Sequence, residues 1–154
     1  MIRHESIKAN GLSFHCAVAG DGPLMLLLHG FPQCWYSWRH QIEPLARRHK
    51  VVVPDLRGYG DSDKPRSISD YALSQLTGDV AGLIRAFGEE RAALVGHDWG
   101  GAVAWATALE RPEMVERLAV LNCPRGNSRA GHAHRDGTRC ARTCPPWESS
   151  RPVV

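Results

Sequence analysis

The sequence predicts a three-layer α/β domain built on a mostly parallel sheet, and two observations predict it. From the third strand onward the apolar patterning runs strand, helix, strand, helix, strand, helix, strand, which specifies right-handed βαβ units with helices laid on the sheet faces. Two of those strands, Leu24-Met25-Leu26-Leu27-Leu28-His29 and Val51-Val52-Val53, are apolar without alternation. A strand covered on both faces reads this way, whereas a half-solvated one alternates.

Taken in order, Ile2 to Ala9 and Leu12 to Ala19 read as two strands joined at Asn10-Gly11, a strong hairpin signal. Gly20-Asp21-Gly22-Pro23 breaks the chain before the third strand, which ends at the loop Gly30-Phe31-Pro32. Trp35, Trp38, Ile42 and Leu45 recur at three and four with polar residues between them, which predicts an amphipathic helix over 36–48. The strand Val51 to Asp55 runs into a glycine-rich, acidic loop, Leu56 to Lys64. Leu73, Leu76, Val80, Leu83, Ile84 and Phe87 make a helical stripe, with Gly88 where a helix-ending glycine belongs. Ala92 to Val95 is the next strand, a small-residue helix follows over 102–109, Pro112 stops it, and Val115 to Leu121 is a last strand.

After Pro124 the patterning is lost. The only Val, Leu, Ile, Phe or Met beyond it are Val153 and Val154, so this stretch cannot bury enough apolar area to offset its ordering entropy. The expected organisation is a core domain over 1–124 and a divergent, disordered tail over 125–154. Charge divides at the same place: 13 Lys and Arg face 14 Asp and Glu through Pro124, while six Arg face only Asp136 and Glu148 after it. The net charge of +3 therefore belongs to the tail, and a nucleic-acid partner loses its main support.

With 154 residues, 43% of them hydrophobic, the chain can build one real core. Its longest apolar run, Leu24 to Leu28, is too short to span a bilayer, and its N-terminus lacks a signal-peptide pattern, so no membrane association and a cytoplasmic protein are expected. Five cysteines at irregular spacing argue against a disulfide framework, and His132, His134, Cys140 and Cys144 fit no zinc-ligand spacing. No metal and no cofactor is read from the sequence.

The stretch that carries chemistry is Gly96-His97-Asp98-Trp99-Gly100-Gly101. A strand leads into it and a helix leads out, the pattern of a nucleophile elbow with a carboxylate at its tip. So placed, Asp98 can attack an electrophilic carbon and form an alkyl ester that water must later cleave. The backbone N–H groups of Trp99 and Phe31 can form an oxyanion hole for that second step. The plainer alternative makes Asp98 an N-cap of the following helix. His97 reads as a structural hydrogen-bonding residue, because neighbours at such a turn point different ways, and Ser62 reads as a turn residue. His29 acts through its position at the head of the loop, with the backbone rather than the imidazole taking part. Trp35, Trp38 and Trp105 fall at core spacing, which leaves Trp99 and Trp35 as the aromatic candidates for a pocket.

In combination, three stretches resemble a known family: His29-Gly30-Phe31-Pro32-Gln33-Cys34-Trp35-Tyr36-Ser37-Trp38-Arg39, Asp55-Leu56-Arg57-Gly58-Tyr59-Gly60-Asp61-Ser62-Asp63-Lys64-Pro65, and Gly96 to Gly101. From residue 10 to 124 the chain is similar to α/β-hydrolases of the epoxide hydrolase group, with haloalkane and haloacetate dehalogenases as relatives. The resemblance implies the α/β-hydrolase fold, Asp98 as nucleophile, Phe31 and Trp99 as oxyanion-hole amides, and a cis bond at Phe31-Pro32. It also implies a small apolar epoxide or halogenated substrate, in a pocket that includes His29, Pro32, Trp35 and Trp99.

Beyond Leu121-Asn122-Cys123-Pro124 the likeness stops. The family continues into a helical cap bearing tyrosines, then two strands carrying an acid and a late histidine. Tyr36, Tyr59 and Tyr71 are the only tyrosines here, and none lies where a cap would be. The expected fold is therefore incomplete, with cap and C-terminal strands absent, and the expected protein is a truncated relative unable to finish its turnover. A dehalogenase, in which the Trp99 indole holds the leaving halide, and a non-catalytic α/β binding module are the alternatives.

Overall fold

The computed structural model describes residues 1–123. Six strands form one sheet: β1 (Arg3–Ala9), β2 (Leu12–Ala19), β3 (Leu24–Leu28), β4 (Lys50–Pro54), β5 (Ala92–His97) and β6 (Val115–Leu121). Three helices, α1 (Arg39–Ala46), α2 (Leu73–Ala86) and α3 (Trp99–Glu110), occupy the connections. The expected tail over 125–154, with His132, His134, Cys140 and Cys144, lies outside the described residues.

The sheet order is β1-β2-β4-β3-β5-β6. β1 and β2 form the expected hairpin, and β2 also pairs antiparallel with β4. From β4 across β3 and β5 to β6 every pairing is parallel, as the alternation of strands and helices requires. The hairpin turns on Asn10 and Gly11, at φ 46° and 77°, the two left-handed residues of a type I′ turn. Asn and Gly are the residues that tolerate those angles, so the turn fixes the register and sends Phe14 inward.

Two apolar clusters make the layers. Leu24, Leu26 and Leu28 of β3 pack with Leu76, Val80 and Ile84 of α2 and Val103 and Ala104 of α3 on one face. On the other face Leu27 joins Val51, Val53, Trp38 and Ile42. The unalternating run in β3 thus serves two cores at once, each buried leucine there contributing roughly 1.5–3 kcal/mol.

Two local expectations need correction. The helix predicted over 36–48 is a 3₁₀ turn at Trp35–Trp38 followed by α1, which ends at Ala46. Pro44 lies inside α1 and cannot donate to the carbonyl four residues earlier, so the helix stops soon after it. Leu73, assigned to the buried stripe of α2, is exposed at the first position of the helix, one turn before the buried face begins; Leu76, Val80, Leu83 and Ile84 are buried as expected.

Polar side chains fix the long loop after β4. Asp55 is buried, and its Oδ1 accepts the Trp35 N–H at 2.8 Å. Its Oδ2 receives the Asp61 N–H at 3.1 Å and lies 2.8 Å from His15 Nδ1. His15 Nε2 in turn meets His4 Nδ1 at 2.9 Å, so a polar line runs from β1 through β2 to the end of β4. Ser62, the expected turn residue, is buried and bridges Asp55 C=O to the His15 N–H. Arg57 forms a two-pronged ion pair with Asp79 of α2, Nε to Oδ2 at 2.8 Å and Nη2 to Oδ1 at 2.6 Å. Asn10 Nδ2 also donates to Asp79 Oδ1, which ties the hairpin turn, the loop and α2 together.

Arg57 and Asp79 are each 4% exposed, so removing one partner strands a buried charge. Asp79→Ala is expected to cost about 3–5 kcal/mol, read as a lower urea midpoint at unchanged slope.

Candidate active site

β5 ends at His97 and α3 begins at Trp99, leaving Asp98 alone to turn the chain. It does so at φ 52° and ψ −118°, a strained conformation for a residue with a side chain. The turn closes only because its neighbours are glycine: a Cβ on Gly96 would collide with the Gly100 carbonyl, and one on Gly100 with the carbonyl of Leu28. The start of α3 is thereby pressed against the end of β3, and the loop Gly30-Phe31-Pro32 comes to lie beside Asp98.

The Asp98 carboxylate makes no side-chain cap on α3. Its Oδ1 instead accepts the Phe31 N–H at 3.0 Å, a bond between residues 67 apart in sequence. That hydrogen bond is the main reason the carboxyl is held below its ordinary value; partial burial opposes it, and the Trp99 N–H and nearby His97 add to it. Asp98 is therefore ionised at neutral pH, as an attacking carboxylate must be. Both amides named from the sequence face this one group, and the helix N-terminus behind it favours negative charge. The Phe31-Pro32 peptide bond is cis, as the resemblance implied.

A cavity of about 550 Å³ opens beside this turn, lined by Phe31, Tyr59, Tyr71, Trp99, Leu56 and Val103 among others. Phe31 and Trp99 stand at its mouth with half or more of their surface exposed. Burial, and then the charge of Asp98, push the Tyr59 phenol up, so it carries its proton at neutral pH. Arg57 also borders the cavity, but Asp79 takes up its charge, and its remaining Nη1 donates to the Asp70 carbonyl at 2.7 Å.

The expected pocket residues do not all assemble there. Trp99 lines the cavity, while His29, Pro32 and Trp35 are not among its lining residues. His29 is fully buried, with Nδ1 against the Gly30 carbonyl at 2.9 Å and Nε2 accepting the Leu56 N–H at 3.0 Å. Burial lowers its affinity for a proton, so it stands as a neutral bracket between the ends of β3 and β4. Pro32 is exposed in the loop. Trp35 turns toward the hairpin, where its ring meets His4 and His15 edge-on, because Asp55 anchors its backbone on that side. His97 Nδ1 lies 3.3 Å from Gln33 Oε1, a structural hydrogen bond of the kind expected of it.

Sequence reading missed Tyr59, Tyr71 and Gln33. The signal for Tyr59 was available: it follows the carboxyl end of β4, where ligands of such sheets gather. Tyr71 offered none, since it arrives from a short 3₁₀ turn, Ile68–Tyr71, far along the loop.

Among the described residues no cluster of three or more His, Cys, Asp or Glu is arranged to hold a metal ion, and no helix is long and apolar enough to cross a membrane. Comparison with known proteins agrees with the geometry. The family model described as alpha/beta hydrolase fold matches residues 23–140. An AB hydrolase superfamily protein of Bacillus subtilis is 48% identical over 126 residues, which is 80% of this chain and 44% of the relative. Epoxide hydrolase 4 of Mus musculus is 48% identical over 120 residues, 77% of this chain and 33% of the relative. The crystal structure of epoxide hydrolase VrEH1 from Vigna radiata superposes with a TM-score of 0.78 at 48% identity, over 80% of this chain and 41% of that one. The chain thus spans less than half the length of these relatives. Fold and family match together establish that the chain belongs to the α/β-hydrolase fold family.

Proposed function

We propose that residues 1–123 carry the alkylating half of an epoxide-opening reaction, with Asp98 as the nucleophile. The observation that carries this reading is the strained turn that presents an ionised Asp98 carboxylate to the Phe31 N–H beside an apolar cavity. Kinship with epoxide hydrolases supports it.

In the first step a carboxylate oxygen attacks a ring carbon of the epoxide. The carbon–oxygen bond breaks, the ring oxygen takes the electron pair and then a proton from solvent, and Asp98 becomes a hydroxyalkyl ester. In the second step water adds to the ester carbonyl carbon, and the Phe31 and Trp99 amides receive the oxyanion before the diol departs. That step needs a base on the water. The two histidines flanking the site are committed elsewhere: His29 through both ring nitrogens, and His97 through Nδ1 to Gln33. The second step is accordingly the slow one for this part of the fold.

The charge balance of the cavity favours a neutral substrate. Arg57 is consumed by Asp79, so an anionic haloacid would meet Asp98 with no free cation among the cavity-lining residues. A neutral haloalkane remains compatible, and the mass of the adduct distinguishes it from an epoxide.

Incubation with excess neutral aryl epoxide is expected to add the whole mass of one epoxide, mapped to Asp98 by peptide mass spectrometry, and Asp98→Asn to take up none. A haloalkane that reacts adds its alkyl group and releases halide. An adduct on another residue overturns the role of Asp98. Sustained diol release overturns its restriction to the first step, and no adduct at all favours a binding module.

The low-lying Asp98 carboxyl also predicts a pH effect. A carboxyl bound lower in the folded chain contributes stability that is full above its unfolded value, near 3.8, and is lost as pH falls through the folded value. Urea unfolding at a series of pH values is expected to show wild type losing more stability than Asp98→Asn below that range, since the amide does not titrate.

A further inference from the structure

Gln33 lies three residues past Gly30 in the loop after β3. Its backbone N–H donates to the Gly30 carbonyl at 3.0 Å and closes a turn. Its side chain then folds back: Oε1 accepts the Gly30 N–H at 3.1 Å and lies 3.3 Å from His97 Nδ1. Because the Gly30 N–H can only donate, the atom facing it must be the carboxamide oxygen, and His97 must carry its proton on Nδ1 to share it.

One step further along both segments, the Phe31 N–H meets Asp98 Oδ1. Two adjacent loop residues therefore register against two adjacent residues of the turn, and Gln33 makes the first of those links. The other contacts on this loop are His29 Nδ1 against the Gly30 carbonyl and the Phe31 ring edge-on to Tyr59, and neither touches the Gly30 N–H. Phe31 is 61% exposed and Pro32 is exposed, and behind Gln33 lies a cavity of about 190 Å³ bordered by Ser37, Trp38, Gln41, His97 and Leu121. The direction of the Phe31 N–H therefore depends in part on the polar contact made at Gly30.

We infer that Gln33 is a positioning residue whose carboxamide oxygen ties Gly30 to His97 and so aims the Phe31 N–H at the Asp98 carboxylate. Its consequence for chemistry rests on Asp98 being the nucleophile; the geometric claim stands apart from that reading and is tested apart from it.

The test is nuclear magnetic resonance of the ¹⁵N-labelled full chain, following the Phe31 amide through a pH titration. In wild type this proton is hydrogen-bonded to the carboxylate, resonates downfield and reports the titration of Asp98. Gln33→Met keeps the length and removes the acceptor. It is expected to move the Phe31 proton upfield, to shrink its pH-dependent step, and to raise the titration midpoint toward the ordinary aspartate range. Gln33→Glu retains an acceptor at the same reach and is expected to keep the downfield position. Gln33→Ser, too short to bridge, repeats the test should the methionine variant fail to fold. An unchanged Phe31 titration in Gln33→Met or Gln33→Ser overturns the proposal, as does a Gln33→Glu chain that behaves like Gln33→Met. Epoxide labelling supplies the separate arm: the Asp98 ester, once formed, is expected to survive about tenfold longer in Gln33→Met. Failure of wild type to label at Asp98 removes the nucleophile reading and leaves the resonance result to decide the role of Gln33.

Discussion

The structure depends on how closely the first turn of α3 can approach the end of β3. The approach is set by backbone rather than side chains, because the Gly100 α-carbon rests against the Leu28 and His29 carbonyls and leaves no room for a methyl group. At ordinary helix-on-sheet distance α3 would still cover the sheet, and its apolar contacts with Leu26 and Leu94 would largely survive. What would be lost is the meeting of Asp98 with Phe31. The glycines thus give up some helix propensity to gain an arrangement of two distant loops.

Around that contact the protein uses buried polar groups in place of apolar packing. Asp55, His29, Arg57 and Asp79 are all nearly inaccessible, and each joins two or more segments. His29 brackets the ends of β3 and β4, Asp55 holds the start of the Trp35 turn to its own loop, and the Arg57–Asp79 pair joins that loop to α2. Such groups cost desolvation, and their return is geometric: each satisfied bond admits one arrangement, where leucines admit several. The loops that frame the cavity are therefore tied to the sheet and to α2 at several named points.

The fold was legible in the sequence because its determinants are local. Asn10-Gly11 names its own turn, the unbroken apolar runs name strands buried on two sides, and Leu76, Val80, Leu83 and Ile84 name the face of a helix. The turn at Asp98 was legible for the same reason, since its flanking glycines lie within two residues of it. Less was visible where position depends on long-range polar contacts. The anchoring of Trp35 by Asp55 turned a pocket candidate away from the pocket, and nothing near Trp35 announces it. Tyr71 reaches the cavity because Arg57 grips the Asp70 carbonyl, a contact across the whole loop. Gln33 stood inside a family-like stretch with no role assigned to it, because its partner is a histidine 64 positions away.

The line from Asp55 through His15 to His4 has a further consequence for the edge of the sheet. It crosses three neighbouring segments, β1, β2 and the residue after β4, by side chains alone. The outermost strand is thus fastened twice, by its backbone ladder to β2 and by a directional side-chain relay that ends on a buried carboxylate. A strand with only the ladder can slide by two residues and keep its inward face; the relay admits one register.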